Sequence, residues 1–128
     1  MIFTAATQEY ADYILNKLDS SKEWIDHRLY RDHTSFYNNT YHKDLTRLGR
    51  CLSRTIIVDN CPDNFRLQPS NGIYIKSWYG DQGDTALKQL APILVHVVTS
   101  HEDKDVRNAL KQLKDSSSTA SRPLSSLR

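Results

Sequence analysis

The chain has 128 residues, 38% of them hydrophobic and 25% charged, which suits one small globular domain and leaves little for a second. Its net charge of +2, with no stripe of Lys and Arg interleaved with aromatics, argues against direct nucleic-acid binding. No apolar run approaches the roughly 18 to 20 residues that cross a bilayer, and no charged segment leads into an apolar core as in a signal peptide, so the sequence reads as soluble and intracellular.

Ile2-Phe3-Thr4 reads as the last residues of a buried strand. From Gln8 to Leu18 the apolar residues Ala11, Ile14, Leu15 and Leu18 recur at helical spacing, with Thr7 as the candidate N-cap. Residues 27–50 mix polar and aromatic side chains. Asn38-Asn39 suggests a hairpin tip between arms 34–37 and 40–43. Arg28, Arg31 and Lys43 are candidate phosphate binders here, because Arg forks and Lys point charges both suit an oxyanion; a solvated surface is the plainer reading of each.

Thr55-Ile56-Ile57-Val58 is a β-branched run read as a strand buried on both faces, ending at Asp59 and Asn60 and stopped by Pro62. Residues 73–78 follow the turn signal Asn71-Gly72 and form a third strand candidate, ended by Gly80. Asp84 then caps a helix with the stripe Leu87, Leu90, Ala91, Leu94, Val97 and Val98, in which Pro92 is expected to kink the axis. Ser100 and Asp103 form a capping pair for a last helix carrying Val106, Ala109, Leu110 and Leu113. From Asp115 onward almost nothing can be buried. The reading is therefore a domain over 1–114 and a disordered Ser-rich tail over 115–128.

Strands alternating with helices predict an α/β fold with a mostly parallel sheet. Ligands of such sheets bind beyond the carboxyl ends of the strands, where Thr4, Asp59 and Asn60 fall. Turn formation before Pro62 is the plain alternative for Asp59 and Asn60. Cys51 and Cys61 read as reduced thiols, Cys61 as a small buried filler, and Trp24, Phe65 and Trp78 as core or core-edge packers.

The segments FTAATQEYADYILNKLD, RLYRDHTSFYNNTYHKDLTRLGRCLSRTIIVDNCP and NGIYIKSWYGDQGDTALKQLAP resemble the later part of the phosphatase domain of small CTD phosphatases, which act on the RNA polymerase II C-terminal tail. Dullard-type nuclear-envelope phosphatases, NLI-interacting-factor-like proteins and a divergent mitochondrial import subunit share that domain, which belongs to the haloacid dehalogenase-like superfamily. The resemblance runs from Ile2 to about Leu113. It implies Mg²⁺-dependent phosphoryl transfer from phosphoserine or phosphothreonine proteins through an aspartyl phosphate, in the nucleus or cytoplasm. By the same resemblance the Thr4 hydroxyl bonds the phosphoryl oxygens, Lys43 balances their charge and Arg31 contacts substrate. Asn60 ligates Mg²⁺, while Asp59 positions the metal's water shell or pairs with Lys43.

These residue types suit the chemistry. A carboxylate attacking a phosphate dianion meets like-charge repulsion of about 4 kcal/mol at 4 Å in an effective dielectric near 20, so fixed cations are required. Oxygen ligands suit Mg²⁺, whereas the five His and two Cys show no zinc spacing.

The family's D-x-D-x-T/V motif, which carries the nucleophile and the general acid/base at the end of a preceding central strand, does not occur in this sequence. Asp103-Lys104-Asp105 has the carboxylate spacing, but it opens a predicted helix, where acids are ordinary first-turn charges. The expected sheet is thus incomplete, with a slot between the strand ending at Thr4 and the strand ending at Asn60. The chain by itself is expected to be unstable or to need another segment or chain to complete it. Three functions follow: part of a phosphoprotein phosphatase, inactive alone; a catalytically dead module binding phosphoprotein or a partner through Arg31, Lys43 and Asn60; or a non-enzymatic, import-translocase-like role, against which the intact motif residues argue.

Overall fold

The computed structural model describes residues 1–99 and 104–119. It is a mixed α/β structure with two small parallel sheets and a hairpin. In chain order its elements are β1 (Ile2–Phe3), α1 (Gln8–Leu18), β2 (Arg28–Leu29), β3 (Ser35–Tyr37), β4 (Thr40–His42), β5 (Ile57–Asp59), β6 (Gly72–Tyr74), α2 (Ala86–Thr99) and α3 (Val106–Thr119), with short 3₁₀ turns between. The strands pair as β1-β2, β3-β4 and β5-β6.

The first half is a strand–helix–strand unit. Parallel strands need a long crossover, and α1 supplies it: Ile2 pairs with Arg28 and Phe3 with Leu29. Ala11 and Leu15 bury the inner stripe of α1 against Tyr30, with Ile2, Ala6 and Ile25 packed around them. Ile14 and Leu18, expected on the same stripe, are exposed instead. Two short strands cover only part of that helix face. Thr7 makes no side-chain cap bond. At the other end the buried Asp19 carboxylate accepts from the N–H groups of Glu23, Trp24 and Ile25 and so folds the loop toward β2.

The hairpin β3-β4 forms as expected, antiparallel with Tyr37 opposite Thr40. Asn38 and Asn39 both take left-handed conformations, φ 49° and 57°, which a tight two-residue hairpin turn demands and Asn tolerates.

In the second half β5 and β6 run parallel, and Leu45, Ile57 and Phe65 form a separate core with Leu48 and Leu52 beside it. Gly72 lies directly beneath Phe65. A Cβ there would overlap the ring, so the close approach of the Pro62–Phe65 turn to β6 requires glycine. The buried Asn71 amide donates to the carbonyls of Leu52 and Thr55 and closes the loop before β5. The strand expected over 73–78 ends at Tyr74. Its partner β5 stops at Asp59, whose carbonyl accepts the last ladder bond from Ile75.

Asp84 bonds the N–H of Ala86 at the start of α2, which continues through Pro92 to Thr99. Of its expected stripe only Val97 is fully buried, while Leu87 and Val98 are exposed. The predicted caps Ser100 and Asp103 lie outside the described residues. Within them, Asp105 accepts from the N–H of Arg107. Helix α3 extends to Thr119, beyond the expected start of the tail at Asp115, and the Ser116 hydroxyl bonds back to the Gln112 carbonyl. The rest of that tail, 120–128, lies outside the described residues. Trp24 and Trp78, expected to pack the core or its edge, are 72% and 62% exposed. Both lie on loops outside the regular elements. Cys51 and Cys61 are free thiols; Cys61 is only half-buried, because its backbone N–H turns in to Asp59 and leaves the residue at the surface. No helix of the described residues is long and apolar enough to cross a membrane.

Candidate active site

The two cores face each other across an open cleft of about 1450 Å³, lined by Met1, Phe3 and Ile25 from one side and by Leu45, Leu48 and residues 56–58 from the other. Phe3 of β1 and Ile57 and Val58 of β5 line the cleft, and each strand has one hydrogen-bonded partner, β2 and β6. At their carboxyl ends stand the residues singled out from the sequence.

Lys43 follows β4 and Asp59 ends β5. Their side chains meet in an ion pair, Nζ to Oδ2 2.5 Å, with only 8% and 4% of each exposed. A charge pair taken so far from water persists only if its remaining donors and acceptors are satisfied. Asp59 Oδ1 accepts from the N–H of Cys61 at 2.8 Å, and the Asn64 side-chain amide lies 3.3 Å from both carboxylate oxygens. With both oxygens engaged, Asp59 is fixed as the partner of Lys43 in this structure. The Lys43 ammonium also lies 5.9 Å from the centre of the Phe3 ring, next to Thr4.

Thr4 remains bonded to β2 through its N–H, which donates to Leu29, while its Oγ1 accepts from the N–H of Ala6 at 3.0 Å. Because the oxygen is used as acceptor, the hydroxyl proton is the part left to offer an anion. Arg31 belongs to the same neighbourhood: its N–H donates to Ala6, its Nε donates to Ala5 at 2.7 Å, and its guanidinium stacks on Tyr41 at 4.9 Å. Arg28 does not fit the phosphate-binding expectation. It is spent on α1, bonded to Asp12 at 2.9 Å and Asn16 at 2.8 Å.

Asn60 continues past β5, and its amide nitrogen donates to Ser77 Oγ at 3.0 Å. That bond leaves the amide carbonyl as its acceptor group. A second cavity, about 600 Å³, brings Lys43, Asp59 and Asn60 together with Trp78 and Leu87. Thr4 and Arg31 do not line it and approach from the β1 side. A hard oxygen from Asn60 suits Mg²⁺, an ion that keeps several waters and takes one or two carboxylates. The described residues contain no group of three or more His, Cys, Asp or Glu able to hold a metal.

Asn64 and Ser77 were not marked by the sequence. Side-chain amides and hydroxyls in turns are common, and only their tertiary partners distinguish these two.

In this mixed α/β unit a buried lysine–carboxylate pair stands at the end of β5 and a threonine hydroxyl follows β1. Residues 1–107 match the NLI interacting factor-like phosphatase family, and the chain belongs to it: a CTD small phosphatase-like, haloacid dehalogenase-like domain. It is 44% identical over 103 residues to CTD small phosphatase-like protein 2 of Dictyostelium discoideum, covering 80% of this chain and 18% of that protein. It is 42% identical over 111 residues to CTD small phosphatase-like protein 3 of Caenorhabditis elegans, covering 87% and 38%. To CTD nuclear envelope phosphatase 1B of Danio rerio it is 40% identical over 94 residues, covering 73% and 38%. The chain thus spans well under half the length of these relatives.

Proposed function

We propose that this domain provides the phosphate-cradling part of a phosphoserine/phosphothreonine protein phosphatase. The nucleophile comes from a D-x-D-x-T/V strand seated between β1 and β5, supplied by the same polypeptide or by another. The observation that carries this reading is the buried Lys43–Asp59 pair at the carboxyl end of β5, a strand whose Ile57 and Val58 line the cleft opposite Phe3 of β1. A strand there would pair with β1 and β5 and place its terminal carboxylates beside Lys43, Thr4 and Asn60.

Asp59 holds the Lys43 ammonium where negative charge gathers on the transferred phosphoryl group, and the Thr4 hydroxyl donates to one of its oxygens. These are preorganised interactions, which cost no rearrangement at the moment of reaction. Arg31, held by Ala5 and Tyr41, contacts the substrate flank. Asn60 would hold Mg²⁺ with carboxylate oxygens from the added strand, and the ion would neutralise charge on attacking and leaving oxygens. Relatives named for CTD and nuclear-envelope phosphatases favour substrates met in the nucleus or at its envelope.

The test is Mg²⁺-dependent hydrolysis of a phosphoserine peptide by the chain, with and without a separately expressed segment carrying the D-x-D-x-T strand. Turnover that needs both parts and falls at least a hundredfold with Lys43→Ala supports the reading. Turnover by the combined parts that is indifferent to Lys43 overturns it. Phosphopeptide binding without turnover by the combined parts gives the binding-module function instead.

A further inference from the structure

Asn64 bonds both members of the ion pair at once. Its backbone carbonyl accepts the N–H of Lys43 at 2.7 Å, while its side-chain Nδ2 lies 3.3 Å from both Oδ1 and Oδ2 of Asp59. The residue is held from behind as well: its own N–H donates to Cys61, and the next residue, Phe65, is buried in the second core over Gly72. Lys43 follows β4 and Asp59 ends β5, and Asn64 bonds the backbone of the first and the carboxylate of the second.

We infer that Asn64 is a positioning residue for the Lys43–Asp59 pair, fixing where the ammonium stands relative to the bound phosphoryl group. The inference rests on the phosphatase reading for its consequence, but not for its geometry. A carboxylate can rotate about its Cα–Cβ and Cβ–Cγ bonds, and Lys43 has four such torsions. The Asn64 amide stops the first rotation by donating to the carboxylate, and the backbone bond anchors the root of the second. An amide suits this position for a reason of sign. A donor here strengthens the carboxylate's hold on Lys43, whereas an acceptor of the same shape repels Asp59 and competes for the ammonium.

Sign gives a test that a merely structural turn residue would fail to mimic. Asn64→Asp keeps the size and suits the turn, and Asn64→Ala removes the amide without adding charge. Binding of inorganic phosphate to the full chain, and the ¹⁵N signal of the Lys43 ammonium, are the two readouts. Asn64→Ala is expected to weaken phosphate binding about tenfold, the worth of one hydrogen bond to a charged group. Asn64→Asp is expected to weaken it further and to broaden or shift the ammonium signal, and the exchange Asp59→Asn with Asn64→Asp to recover part of the loss. Wild-type behaviour of Asn64→Asp in the ammonium signal, or a double variant no better than the worse single, overturns the inference. If Asn64→Asp unfolds, a folded double variant reports the same pairing and an unfolded one refutes it. Absence of phosphate binding in the wild type counts against the phosphatase reading, while the ammonium signal still judges Asn64.

Discussion

The Lys43 ammonium rests 5.9 Å from the centre of the Phe3 ring, so a cation anchored on the β5 side of the cleft reaches the end of β1 on the other. Its charge is balanced by Asp59, and each is buried. Lys43→Met leaves an uncompensated carboxylate in a dry site and is expected to cost about 3 kcal/mol, read as a lowered urea midpoint. Lys43→Met with Asp59→Leu is expected to return to within about 1 kcal/mol of the wild type, since paired burial of charge adds little net stability. Equal instability of single and double variants would show that the pair is not the energetic unit.

Gly72 and Phe65 give a steric counterpart. Gly72→Ala forces a methyl into the Phe65 ring and is expected to destabilise by about 1–3 kcal/mol. Adding Phe65→Leu makes room, and the double variant is expected to be more stable than the two single costs sum to. Strict additivity in urea unfolding would refute the contact.

Acid sensitivity follows from Asp12 on α1. The Tyr30 hydroxyl, donating at 2.7 Å, and then Arg28 hold its carboxyl below the usual carboxylate range. A folded-state pKa depressed below the unfolded value contributes stability that is present above about pH 4 and is lost as pH falls through the lower folded value. Tyr30→Phe removes the largest cause, so the difference in urea midpoint between pH 7 and pH 3 is expected to narrow. An unchanged difference would assign the acid response elsewhere.

The exposed Cys51 thiol shares a 2.9 Å hydrogen bond with Ser53 Oγ, which with the Ser53 backbone holds it below the usual thiol range. Iodoacetamide should alkylate Cys51 with a pH–rate midpoint that rises in Ser53→Ala, because the thiolate loses its donor. Mass spectrometry of the modified peptide reads the rate, and a midpoint that stays put would discount the Ser53 contact.

Much of the frame was legible in the sequence. Period and β-branching located α1, β5 and the hairpin, because each depends on neighbours within a few residues, and Asn38-Asn39 marked the turn for the same reason. β2 was not seen, since two residues inside a mixed polar stretch carry no period of their own. The apolar run 73–78 predicts a longer strand than the observed β6, because a strand ends where its partner ends, and the partner lies elsewhere in the chain. The stripe of α2 was read correctly as apolar, but only Val97 finds full cover.

The site divides in the same way. The order of motifs along the chain was enough to identify the phosphatase family, and the roles expected of Thr4, Lys43, Asp59 and Asn60 follow from that resemblance. Only the tertiary structure decided that Asp59 spends both oxygens on its neighbours, that Arg28 serves α1, and that Asn64 ties Lys43 to Asp59. A side chain's chemistry is local and is written in its code letter. Its partner is set by which strands lie side by side, and that is a property of the whole fold.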